Sequence, residues 1–207
     1  MKKLNNKQNT GLEKAQRYAR TDGFKGWALV LAFLAAMCFD QFVIDLPFEN
    51  IVFPLLVIAA ATLTPAKNAV LVAVYSVIFE LSCIAWFIWD LPRVPFWLLE
   101  VTIGYFMPFV AYKIFNRGHK NISVFGYAGI AAFSELLYYW VSVIATCLIW
   151  KVPFVAYFLS DVPYEALGCA ATFVCTLPVA AVYKLISGEL KGAERQAPSP
   201  LSVIARG

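Results

Sequence analysis

Charge is scarce in this chain, and histidine is nearly absent. Of its 207 residues only 14% are Asp, Glu, Lys or Arg, and His119 is the single histidine. Soluble domains carry about 25% charged residues, so a solvated globular surface is not expected. One histidine in a polar loop excludes a His-Glu-x-x-His zinc helix and leaves no Ser–His pair for the apolar segments. There is no Walker-type phosphate loop and no Gly-x-Gly-x-x-Gly run, so the chain does not bind ATP by either route. The five cysteines, Cys38, Cys83, Cys147, Cys169 and Cys175, lie inside apolar runs without a Cys-x-x-Cys pair. Neither a disulfide framework nor a metal site follows from them. The residues before Phe24 are polar and basic, unlike a secretory signal peptide. No enzymatic constellation, metal or cofactor is expected.

What the chain has in abundance is apolar length. It is 61% hydrophobic with a mean hydropathy of +0.69, and long uncharged runs recur along it. That pattern predicts an all-α polytopic membrane protein, a six-transmembrane-helix bundle. The expected organisation is a polar, basic N-terminal tail over 1–23, a six-span membrane domain over 24–186 and a disordered C-terminal tail over 187–207. Leu12 to Arg20 has the makings of a short surface helix. The spans read Phe24–Phe39, Leu46 or Ile51 to Thr64, Ala69–Trp89, Phe96–Phe115, Val124–Trp150 and Pro163–Ile186. The second is short for a bilayer crossing, which takes about 20 residues. Thr64 to Asn68 reads as a tight turn and Lys151 to Val162 as an aromatic loop. Pro163 suits the first turn of a helix.

Six crossings put both termini on one side, and the cations can then be counted by side. Lys2, Lys3, Lys7, Lys14, Arg17, Arg20, Lys25, Lys67, Lys113, Arg117, Lys120, Lys184, Lys191, Arg195 and Arg206 fall together, leaving Arg93 and Lys151 opposite. Positive residues concentrate on the cytoplasmic side, so both termini are expected there, in a multi-pass protein of the cytoplasmic membrane. This distribution accounts for the net charge of +4 without nucleic acid as a partner.

The acids have the opposite bias, and three lie within spans: Glu80, Glu100 and Glu135. A carboxyl inside a span is costly in lipid, so it faces protein or a wet cavity. Glu135, Tyr139, Ser142 and Thr146 recur at helical spacing on one face, as do Trp97, Glu100 and Gly104 on the preceding span. At Gly104 a ligand or a neighbouring helix can approach the backbone. Glu165, Cys169, Thr172 and Thr176 form a polar stripe on the last span. The expectation is that Glu100 and Glu135 face one outward-opening pocket. Trp97, Tyr139 and Tyr157 would offer rings there, with Ser142 and Glu165 as further polar contacts. Acids among aromatic faces favour a cationic or aromatic small molecule.

Ala28, Ala32 and Ala36 recur every four residues on the first span, a spacing that lets another helix come close. With the length, the six spans and the cytoplasmic termini, this alanine face resembles the substrate-binding S component of an energy-coupling factor (ECF) vitamin transporter. The resemblance implies capture of a vitamin or similar small molecule from outside, with uptake driven by partner subunits. It implies docking of the alanine face on a transmembrane coupling subunit, which works with two ATPase subunits. It also implies a substrate site on the outer side, built from the last three spans and outer loops, where Glu100, Glu135, Tyr139 and Glu165 fall. The histidine-bearing N-terminus of the cobalt and nickel members is missing, which argues against metal uptake. Two other readings stand beside it: a non-catalytic membrane scaffold of the MreD cell-shape kind, and an ion-coupled carrier using Glu80 as a proton site.

Overall fold

The computed structural model describes residues 24–44, 51–87, 93–116 and 122–187. These contain six α-helices: α1 (Phe24–Phe39), α2 (Val52–Thr62), α3 (Pro65–Phe87), α4 (Val94–Phe115), α5 (Val124–Trp150) and α6 (Phe154–Ser187). A π-helical turn, Asp40–Ile44, extends α1. No strand occurs among the described residues. Five stretches are long and apolar enough to cross a membrane, in α1 and α3 to α6; α2, with 11 residues, is not. The chain is an all-α, multi-pass membrane protein. Both tails, His119 and the expected helix over Leu12–Arg20 lie outside the described residues.

The short helix is the centre of the bundle. α2 packs against all five others, while α1, α3, α4, α5 and α6 follow one another around it. Val52, Phe53, Leu56, Val57, Ile58, Ala59 and Ala60 are all buried. An apolar helix of 11 residues is about 16 Å long, well short of a hydrocarbon core of about 30 Å. A wrap of other helices makes that tolerable, because it shields the short helix from lipid. Its C-terminus turns within two residues. The Leu63 N–H donates to the Ala59 carbonyl, and the Thr64 carbonyl accepts the first bond of α3 from Asn68. Pro65 occupies the first helical position, where a missing N–H costs nothing. The turn expected over Thr64 to Asn68 is therefore two residues long, and α3 begins earlier than its hydropathy indicates.

α4 and α5 agree closely with their expected bounds. Ser123 caps α5 by accepting from the Gly126 N–H at 3.0 Å. α6 departs from expectation. The loop expected from Lys151 to Val162 is helical from Phe154, so Pro163 lies inside α6. The actual break is the three-residue link Lys151-Val152-Pro153. Lys151 ends α5 in the left-handed region at φ 54°, and the Pro153 carbonyl accepts the first α6 bond from Tyr157. Prolines are tolerated within membrane helices when surrounding groups satisfy the freed backbone.

The buried stripe of α6 is small and polar: Glu165, Gly168, Thr172, Thr176 and Ala180. Its opposite face is apolar and open, with Leu167 and Val174 both exposed. Small residues every four positions let α5 and α6 pack backbone to backbone. In water this arrangement would be inverted.

Candidate functional site

Two acidic sites flank α5, and they differ in how fully the acid is satisfied. Glu135, 3% exposed, accepts a hydrogen bond from the Thr172 hydroxyl of α6. One turn along α6, Gly168 brings the two helices together. A Cβ built there would stand 3.0 Å from Glu135 Oε1 and overlap the Tyr139 hydroxyl. Glu165 is buried one turn further along, beside the donating indole N–H of Trp140. Its Oε1 has no hydrogen-bond partner, and Asp161 is within electrostatic reach.

The second site lies between the first half of α4 and the last half of α5. Glu100, 6% exposed, has the Ser142 hydroxyl as a donor, while its Oε2 is buried without a partner. It forms the polar spot in a groove of about 630 Å³ walled by Phe96, Leu99 and Ile103 from α4 and Val141, Ile144, Ala145 and Leu148 from α5. Arg93 stands at one end, its guanidinium 4.3 Å from the Trp150 ring centroid. The groove opens sideways, since Leu99 is 58% and Leu148 75% exposed.

Behind the groove is a cluster of rings contributed by α2, α3, α4 and α5. Tyr105 stacks on Tyr138 at 5.5 Å and meets Tyr75 at 5.1 Å, Phe79 at 5.8 Å and Phe53 at 5.9 Å. Glu80, buried on α3, lies within electrostatic reach of Glu100 and Tyr138. A Cβ on Gly104 would overlap the Tyr138 ring. Of the two occupants expected at this glycine, the structure shows the neighbouring helix.

Among the described residues, Glu100 lines the α4–α5 groove and Glu135 does not, so the two acids do not share it. Tyr138 and Tyr139, adjacent on α5, splay to opposite flanks, one against Gly104 of α4 and the other against Gly168 of α6. Ser142, where Glu100 meets α5, is seven residues beyond Glu135, about 10 Å along the axis. Among the other expected ligand contacts, Ser142 joins Glu100, and Tyr139 and Glu165 join the Glu135 side. Trp97 is half-buried on α4 outside the groove lining, and Tyr157 is a helical residue of α6, half-buried and lining neither described cavity. A smaller cavity of about 230 Å³ is bounded by Trp140, Val143, Ile144, Phe154 and Phe158.

Ala28, Ala32 and Ala36 are all exposed, on the side of α1 away from its buried Val30 and Met37. No cluster of three metal-ligating side chains occurs among the described residues. Compared with known proteins, the chain matches no family model, no curated protein and no solved structure.

Sequence reasoning missed Arg93 as a site residue, Tyr105 and Tyr138 as the ring cluster, and Gly168 as the contact that closes the Glu135 side. Arg93 carried a signal, being one of two cations opposite the basic majority. Gly168 sits on the same stripe as Thr172 at a spacing of four, which marks a close helix contact. Nothing in the linear pattern separates Tyr138 from Tyr139.

Proposed function

We propose that this protein is the substrate-capturing membrane subunit of an ECF-type uptake system, with six spans, cytoplasmic termini and its site toward the outside. The observation that carries the reading is the exposed face of Ala28, Ala32 and Ala36. A smooth strip of small side chains on an outer helix, with no helix of this chain among the described residues laid along it, is a surface on which a partner's helix can seat closely. The groove beside Glu100 supports the capture half of the reading. It has apolar walls, two charged residues and a volume within the range of about 300–1,000 Å³ typical of small-molecule sites. Uptake would need a coupling subunit and two ATPases, since this chain carries no phosphate-binding loop. Glu100 would hold a donating or cationic group of the solute.

Reconstitution tests this directly. The purified chain should retain a metabolite by native mass spectrometry, yet support uptake into liposomes only with the coupling subunit and ATPases present. Ala32→Trp should abolish copurification with the coupling subunit while leaving ligand retention intact. Uptake by the chain alone would make it a carrier. Copurification with cell-wall machinery, with no ligand retained, would make it a scaffold.

A further inference from the structure

The smaller cavity, between the later half of α5 and the start of α6, is walled largely by rings. Trp140, Val143 and Ile144 line it from α5 and Phe154 and Phe158 from α6, around about 230 Å³. The two phenylalanine rings lie nearly parallel, 17° apart in plane, with centroids separated by 5.8 Å. None of the five side chains has a hydrogen-bond acceptor. Acids stand next to this apolar box. The Trp140 indole N–H donates to Glu165, which is 4% exposed and keeps its Oε1 buried without a partner. Among the described residues the other charged group within reach of Glu165 is Asp161, of the same sign. Phe154, Phe158, Asp161 and Glu165 recur at offsets of four, seven and eleven, so rings and acids share one face of α6. We infer that this cavity holds a methylated ammonium group of the choline kind among Trp140, Phe154 and Phe158, with Glu165 and Asp161 as its countercharge.

Each part of the site selects for that chemistry. A cation within about 6 Å of an aromatic centroid is drawn to the ring face, and a cage of rings suits a quaternary nitrogen. A carboxyl accepting from the indole N–H polarises the ring it holds, in the direction that favours a cation on the face. A primary ammonium brings N–H donors that these walls cannot satisfy, and an unpaired donor is costly away from water. Methyl groups carry the charge of a quaternary nitrogen without needing an acceptor. A neutral head of the same shape fits the walls but gains nothing from the acids, and an anion meets two carboxyls. The cavity can be entered, since Trp140, Ile144 and Phe154 are all exposed. It shares only Ile144 with the groove beside Glu100, so the inference does not rest on the capture reading.

Calorimetric titration of the full chain in a maltoside detergent, which carries no ammonium, tests this. The probes are choline, ethanolamine and the alcohol in which a tert-butyl group replaces the trimethylammonium head of choline. Choline should bind about tenfold tighter than either of the others. Trp140→Leu and Phe158→Leu, with thermal unfolding showing the fold retained, should each erase most of its advantage over the alcohol. Glu165→Gln keeps an acceptor for the indole but removes the charge. It should weaken choline several-fold and leave the alcohol where it was, a split that a merely structural role would not produce. Equal binding of the three probes, or a choline preference unchanged in both folded ring variants, would overturn the inference. Nanodiscs of mixed phosphatidylcholine and phosphatidylglycerol separate the two sources of the group. Selective retention of phosphatidylcholine, lost in Trp140→Leu, would support the site as one for a lipid headgroup. Choline binding without a lipid preference would support it as one for a free solute.

Discussion

Glu135 and Glu100 are both carboxyls buried in a membrane bundle, but their environments differ sharply. Glu135 is closed in: Thr172 donates to it, Gly168 lets α6 press against it and Tyr139 covers one side. Glu100 has Ser142 beside one oxygen, while the other faces no partner at the wall of a groove. Burial alone therefore does not mark a site. An acid whose hydrogen-bonding capacity is used by its own bundle serves the fold. An acid left short by its bundle, next to a space large enough for a solute, is available for something else.

The closed side is where the largest loss of stability is expected. Gly168→Leu drives a side chain into Tyr139 and Glu135, which are themselves held by neighbours. Overpacking of this kind costs about 1–3 kcal/mol, with more where nothing can yield. Thermal unfolding in detergent should show a marked fall. Gly129→Leu is the control, because a Cβ there meets nothing within 4 Å, and it should leave the midpoint unchanged. An equal fall for both would mean that α5 and α6 do not meet at Gly168.

Removing one hydrogen bond on each side sharpens the contrast. Thr172→Val takes the donor from Glu135 and leaves a buried acceptor short, a loss of about 1–2 kcal/mol. Ser142→Ala should cost less, about 0.6 kcal/mol, the average for a side-chain hydrogen bond between membrane helices. Glu100 is already under-satisfied, so losing Ser142 changes its environment less. The ratio of the two effects is the measurement that matters. If Ser142→Ala proved the more damaging, the assignment of closed and open sides would be reversed.

Much of this fold was legible, and the reasons are specific. α5 matches its expected bounds because its run from Val124 to Trp150 holds a single charged residue, Glu135, and the structure adds a Ser123 cap at its start. The shortness of α2 was visible in the hydropathy. Its place at the centre was not, because a span wrapped by five helices and one facing lipid are apolar alike. α6 was read as starting too late because Pro163 resembles a helix start, whereas the left-handed Lys151 and the following Pro153 make the real break. Of the candidate site, the acids themselves were legible, since a carboxyl in an apolar run stands out. Their grouping was not. Helical spacing places Glu135 and Ser142 on one face of α5 but does not say that α4 meets that face at Ser142 and α6 at Glu135. Nor does it say that adjacent tyrosines splay to opposite flanks. Those facts depend on helix rotation and close contacts at Gly104 and Gly168, which only three dimensions supply.

The smallest expected effect carries the sign that distinguishes the two acids. Glu100→Leu replaces a half-satisfied buried carboxyl with an apolar side chain of similar bulk, in a groove whose walls are already apolar. Replacing buried polar groups by apolar ones of like shape is often neutral or stabilising, so the unfolding midpoint should hold within about 0.5 kcal/mol or rise. Glu135→Leu should lower it, because it leaves the buried Thr172 hydroxyl without its acceptor and crowds Gly168. A protein that gains stability when an acid is removed has kept that acid for a purpose other than folding, and natural sites that sacrifice stability in this way are sites of function. If both substitutions destabilised alike, Glu100 would be one more strut of the bundle and the groove beside it an incidental gap between helices.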